Sequence, residues 1–125
     1  MDERFLRTEM LLGPQAMERL AAAHVAVFGL GGVGSWCAEA LARSGVGALT
    51  LVDHDTVGLT NLNRQVEATR STLGQPKAQA MADRIRDINP DCRLTIRRAY
   101  DTFHYVTDTR YQMFCGLARM TKKGE

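Results

Sequence analysis

The run Val25-Ala26-Val27-Phe28 passes directly into Gly29-Leu30-Gly31-Gly32-Val33-Gly34, and this junction limits the fold more than any other stretch of the chain. A short β-branched and aromatic run ending on glycine reads as a buried strand. Beyond it, Val33, Trp36, Cys37, Ala40, Leu41 and Ser44 recur at helical spacing and predict an apolar stripe along one face, stopped by Gly45. A second apolar run, Ala48-Leu49-Thr50-Leu51-Val52, ends at Asp53. Strand, glycine turn, helix and acid-tipped strand together make a parallel α/β unit.

Each part has a physical use. Gly29 permits the tight turn, Gly31 lets a phosphate approach the backbone, and Gly34 lets the helix pack closely on the strand. The helix N-terminus then offers unpaired N–H groups and the positive end of its dipole to an anion. Asp53 is placed to accept hydrogen bonds from ribose hydroxyls. The competing account is a glycine turn used only for packing.

At 125 residues the chain is one domain, short for a complete doubly wound sheet. A hydrophobic content of 45% and a charged content of 24% are ordinary for a globular protein. No stretch approaches the length of apolar chain that spans a bilayer and no signal-type core follows Met1, so a cytoplasmic protein without membrane contact is expected. Cys37, Cys92 and Cys115 lack the spacing of a zinc site and are odd in number, which argues against a disulfide framework.

Along the chain, Arg4-Phe5-Leu6-Arg7 opens an arm that runs to Gly13-Pro14, and spacing alone favours a flexible charged tail for these arginines. A helix from Pro14 through Leu20 and Ala21 precedes the first strand. His24 reads as a structural or exposed histidine. The segment from His54 to Gln65 is polar and aperiodic, a loop at the C-terminal end of a strand, where open α/β sheets bind ligands. Asn61, Arg64 and Gln65 are expected near a bound nucleotide, in a segment too polar for the core. Gly74-Gln75-Pro76-Lys77 starts a helix with Ala78, Met81, Ala82, Ile85 and Ile88 as its apolar stripe. A cation at Lys77 opposes the helix dipole, and a bound anion would supply the reason. Leu94-Thr95-Ile96 is expected as a third, edge-ward strand.

The glycine motif, Asp53-His54-Asp55, Asn61-Leu62-Asn63-Arg64-Gln65 and Gly74-Gln75-Pro76-Lys77 together resemble the E1-like adenylating family, the ThiF/MoeB/HesA group. Arg4 to Gly13 and Gly31 to Trp36 look most like its tRNA-modifying dehydratase branch. The resemblance implies an α/β fold, a Rossmann-like parallel sheet with flanking helices, over residues 1–98, with 99–125 a divergent or truncated tail. It implies ATP with Mg²⁺ and not a nicotinamide cofactor, although a NAD-dependent oxidoreductase would share the glycine turn and Asp53. Gly29, Gly31, Gly32, Gly34, Asp53, Asp55, Asn61, Arg64, Gln65 and Lys77 would line the nucleotide, and no residue is assigned to the metal. Arg7, Arg64 and Lys77 would be catalytic. Arg7 would reach the neighbouring protomer's ATP across a homodimer, so the arm would not be a free tail.

The implied chemistry is activation of a carboxylate as an acyl-adenylate, closing a ring on a modified tRNA adenosine. Adenylation of a ubiquitin-like sulfur carrier, or a catalytically incomplete nucleotide-binding fragment, are the alternatives. DNA is not expected as a partner. In the tail, Met113 to Ala118 is apolar, but no aspartate-tipped fourth strand is evident, and Asp108 is a poor substitute.

Overall fold

The two apolar runs form the adjacent central strands of a parallel sheet. The structure, a computed structural model, describes residues 2–98 and the backbone of Met113–Cys115. The strands are β1 (His24–Phe28), β2 (Ala48–Val52), β3 (Arg93–Arg97) and β4 (Met113–Cys115), in the order β3-β2-β1-β4. Val27 is level with Leu51, and Leu51 with Ile96. Every residue of β2 is buried, whereas β3, at the edge, is flanked by exposed arginines.

The helices are α1 (Leu6–Leu12), α2 (Pro14–Ala22), α3 (Gly34–Ser44) and α4 (Lys77–Ile88). Alternation along the strands turns Val25, Val27, Leu49 and Leu51 to one face, where they meet Ala38 and Ala42 of α3 and Met81 and Ile85 of α4. Each fully buried valine, leucine, isoleucine or methionine among them contributes about 1.5–3 kcal/mol. Strand order 3-2-1-4 reverses direction between β1 and β4, and such a switch point opens a crevice at the strands' C-terminal ends. The glycine loop leaves β1 there.

Four expectations are corrected. The buried residues of α3 are Gly34, Ser35, Ala38, Glu39 and Ala42, while Val33 is 81% and Trp36 54% exposed. Small side chains let the helix approach the sheet, and the large apolar ones turn outward. The arginine arm is not a loose tail: α1 follows Arg4, whose guanidinium donates to Asn89 Oδ1 (3.1 Å) and pairs with Asp91 Oδ2 (2.6 Å). Gln65, Val66, Glu67 and Ala68 are all buried, so the polar loop contributes to the interior. A fourth strand does form at Met113–Cys115, parallel to β1, with Ala26 level with Phe114.

The third, edge-ward strand is present as β3, and His24 is structural, its Nε2 sharing a hydrogen bond with Thr50 Oγ1 (2.7 Å). Cys37 and Cys92 are free thiols. Burial pushes the Cys92 thiol up to about 11, so it stays protonated at neutral pH. Among the described residues no helix is long and apolar enough to cross a membrane. The expectations for Asp108 and the rest of the tail lie outside the described residues.

Candidate functional site

The glycine loop is held from below by the tip of β2. Gly29 takes φ +86°, a conformation glycine adopts without strain, and its N–H donates to Val52 O (2.7 Å). Asp53 is 5% exposed; its Oδ2 accepts from Leu30 N–H (2.7 Å) and its Oδ1 from Asp55 N–H (2.8 Å). The acid thus braces the turn, and each oxygen keeps further accepting capacity for a ribose. A Cβ on Gly34 would lie 1.8 Å from Gly29 O, so only glycine lets α3 begin this close to the turn. No side chain caps that helix, which starts directly from the loop with the Ser35 N–H donating to Gly31 O (3.1 Å).

A second wall is tied to the first. After the 3-10 turn Leu59–Asn61, Trp36 Nε1 donates to Arg64 O (2.7 Å). Ser35 Oγ donates to Gly31 O (2.6 Å) and accepts from Val66 N–H (3.2 Å). The stem of Arg64 lies over Gly32, where an added Cβ would meet its Cδ at 3.4 Å. Its exposed guanidinium donates to Thr60 O (3.2 Å) and Asn63 Oδ1 (3.1 Å), leaving other N–H donors for an anion. Asn61 is tied into the turn through its Oδ1, which accepts from Gly58 N–H (2.7 Å), and its amide Nδ2 carries two further donors.

The start of α4 is pinned beside Asp53. Thr56 bridges Pro76, Val57 N–H donates to Gln75 O (2.8 Å), and Lys77 N–H donates to Asp55 O (3.0 Å). Lys77 is 7% exposed, and among the described residues its ammonium has no hydrogen bond or ion pair. Glu67, which sequence reasoning missed, is 1% exposed, with both carboxylate oxygens lacking a partner among the described residues; Gln65 Oε1 is in the same state. Burial pushes the Glu67 carboxyl up to about 7, its own N–H and the Lys77 cation offset part of that, and Asp53 adds to it. The only signal for Glu67 was an acid between Val66 and Ala68 in a run without periodicity.

The fold therefore gathers the four loop glycines, Asp53, Arg64 and the start of α4 at one end of the sheet. Arg7 is elsewhere. Its helix follows the Arg4 anchor at Asn89 and Asp91, beside the N-terminal ends of the strands. A cavity of about 490 Å³ lies at that far end, lined by Phe5, Met17, Gly45, Asn89 and Cys92 among others. Asp53, His54 and Asp55 bring one possible ligand atom each within 4.8 Å of one another. Both Asp53 oxygens already accept N–H groups, and His54 Nε2 lies 3.3 Å from Asp55 Oδ1, so this is not a ready Mg²⁺ cage. A Mg²⁺ ion usually takes one or two carboxylates plus substrate phosphates. The two aspartates would suit a metal that arrives with a nucleotide.

Residues 5–112 match the model of the ThiF family. The tRNA threonylcarbamoyladenosine dehydratase of Escherichia coli (strain K12) is 55% identical over 94 residues, 75% of this chain and 35% of that protein. That of Bacillus subtilis (strain 168) is 49% identical over 111 residues, 89% of this chain and 42% of that protein. The solved structure of the E. coli dehydratase TcdA in complex with ATP superposes with a TM-score of 0.85 and 46% identity, over 90% of this chain and 47% of that one. The chain thus spans less than half the length of these relatives.

Proposed function

This chain belongs to the ThiF family, and from that premise we propose that it binds ATP on the Gly29 to Gly34 loop and uses it to activate a carboxylate. The observation that carries this reading is Arg64, its stem across Gly32 and its guanidinium exposed beside the loop, with the start of α4 at Lys77 tied to Asp55 at the same end of the sheet. A NAD-type site needs the glycine turn and the acid but gives these two cations no work. The ATP held by the TcdA relative supports the same choice.

Charge explains the need. A carboxylate and a triphosphate repel each other, so the phosphates must be neutralised before the carboxylate oxygen can bond to the α-phosphorus. Arg64 and Lys77 would do this from one chain, and Arg7 from a second copy. As the new P–O bond forms, the α–β linkage breaks and pyrophosphate leaves. In the dehydratase reading the carboxylate is that of a threonylcarbamoyl group on a tRNA adenosine. An internal nucleophile then attacks the activated acyl carbon, AMP leaves, and a ring closes with net loss of water. The identity to dehydratases from two bacteria supports tRNA as the substrate over a sulfur carrier protein.

Thermal stability and calorimetry test the cofactor, and AMP release tests the reaction. ATP with Mg²⁺ is expected to raise the melting temperature and NADH to leave it unchanged; the reverse result would reject the reading. With tRNA carrying threonylcarbamoyladenosine, AMP should accumulate in step with ring closure. Folded, ATP-binding protein that releases none would be an incomplete nucleotide-binding fragment.

A further inference from the structure

Carboxylates claim several arginines of this chain: Arg4 pairs with Asp2 and Asp91, Arg43 and Arg84 with Glu39, and Arg86 with Asp83. The arginines at the edge strand differ. Arg93, Arg97 and Arg98 are exposed, and none has a carboxylate partner among the described residues. The Arg97 guanidinium donates to Ile96 O (3.1 Å) and that of Arg98 to His54 O (3.3 Å), which leaves most of their N–H donors to solvent.

Strand geometry sets these charges in a row. Arg93, Thr95 and Arg97 share one face of β3, the two arginines about 13 Å apart at the rise of a parallel strand. Leu94 and Ile96 turn to the other face, against the core. The neighbouring strand adds no charge, because Arg93 is level with Ala48, Thr95 with Thr50 and Arg97 with Val52. No strand pairs with the outer side of β3 among the described residues. The row also has a direction. Asp53 N–H donates to Arg97 O (3.1 Å) and Arg98 reaches His54, so its last two members stand beside the crevice at the strands' C-terminal ends.

We propose that Arg93, Arg97 and Arg98 form a track for the phosphate backbone of RNA, holding it along the outer edge of the sheet and leading it to the glycine-loop crevice. This rests on the tRNA reading above and specifies where that RNA is held. The planar fork of arginine matches two oxygens of one phosphate, and such contacts fix the position of a nucleic acid without reading its sequence. A protein partner fits less well. The side chain between the two arginines on this face is Thr95, whereas the exposed large apolar residues Met10, Leu11, Val33 and Leu59 lie on other elements. A lipid surface would meet the same lack of apolar anchors.

The test is fluorescence anisotropy of an unmodified tRNA transcript with the whole chain, between about 50 and 200 mM KCl. Arg93→Gln/Arg97→Gln should lower the slope of log affinity against log salt by about 1.5, the loss of two phosphate contacts. Arg86→Gln, whose guanidinium already pairs with Asp83, should leave the slope unchanged. Arg93→Lys/Arg97→Lys should restore it, because the charge returns. An unchanged slope in the double glutamine variant, or an equal fall in the Arg86 variant, would overturn the track and leave the tRNA reading intact. No binding of tRNA to the unmodified chain would overturn both. Polyglutamate or phosphatidylserine vesicles that bind as tightly as tRNA at the same salt, and lose that binding in the same variant, would reject RNA as the occupant. If the double glutamine variant fails to fold, phenylglyoxal modification of the unmodified chain replaces it: tRNA should protect Arg93 and Arg97 but not Arg86, and equal reactivity with and without tRNA would reject the proposal.

Discussion

Arg64 and Lys77 are held in the fold by unlike routes, and this decides what each substitution should cost. Arg64 is held through its backbone, its carbonyl accepting the Trp36 indole N–H, so the guanidinium can be removed without releasing the loop. Lys77 is held through its place at the start of α4, with its N–H on Asp55 O. Arg64→Ala and Lys77→Ala should therefore fold and should each weaken ATP about tenfold to a hundredfold, the scale of a lost charge-assisted hydrogen bond. AMP, without the outer phosphates, should be affected far less. Equal losses for both ligands in a direct binding titration would assign these residues to the fold alone.

At the level of elements, the junction of β1 and α3 tolerates nothing larger than glycine at one position and little at another. Gly34→Ala would set a methyl 1.8 Å from the Gly29 carbonyl, a backbone atom that cannot yield, and should cost about 3 kcal/mol or more in a denaturant titration. Gly32→Ala meets only the Arg64 stem at 3.4 Å, so it should fold and instead disturb nucleotide affinity. If Gly34→Ala were as stable as the unmodified chain, the close approach would not be what the glycine provides. The strand, turn, helix and acid-tipped strand were legible because periodicity and glycine placement are local properties. Which face of α3 is buried was not, because close approach to the sheet favoured Ser35 and Ala38 over Trp36 and Val33. The burial of Gln65, expected only as a residue near the nucleotide, and of Glu67 escaped for a related reason: a polar run looks solvated until the α3 N-terminus packs on it. The short β4 was hidden because its pairing with β1 is a long-range event that its few residues do not announce.

For the whole molecule, the sheet has two ends with different work. The glycine loop, Asp53 and the start of α4 gather where the strands finish, while the arm is fastened beside where they begin, by Arg4 on Asn89 and Asp91. The proposal that Arg7 serves the loop of a second copy can be tested by complementation. Mixing Arg7→Ala with Lys77→Ala should then rebuild intact sites in the mixed dimers, about a quarter of the total, as counted by ATP titration. No recovery on mixing would exclude a shared site. The chain contains a single tryptophan, and it is the one whose indole grips Arg64 at the rim of the loop. The protein thus carries its own optical reporter: arrival of a ligand at that rim alters the surroundings of its only strong fluorophore, so occupancy can be followed by emission without attaching a dye.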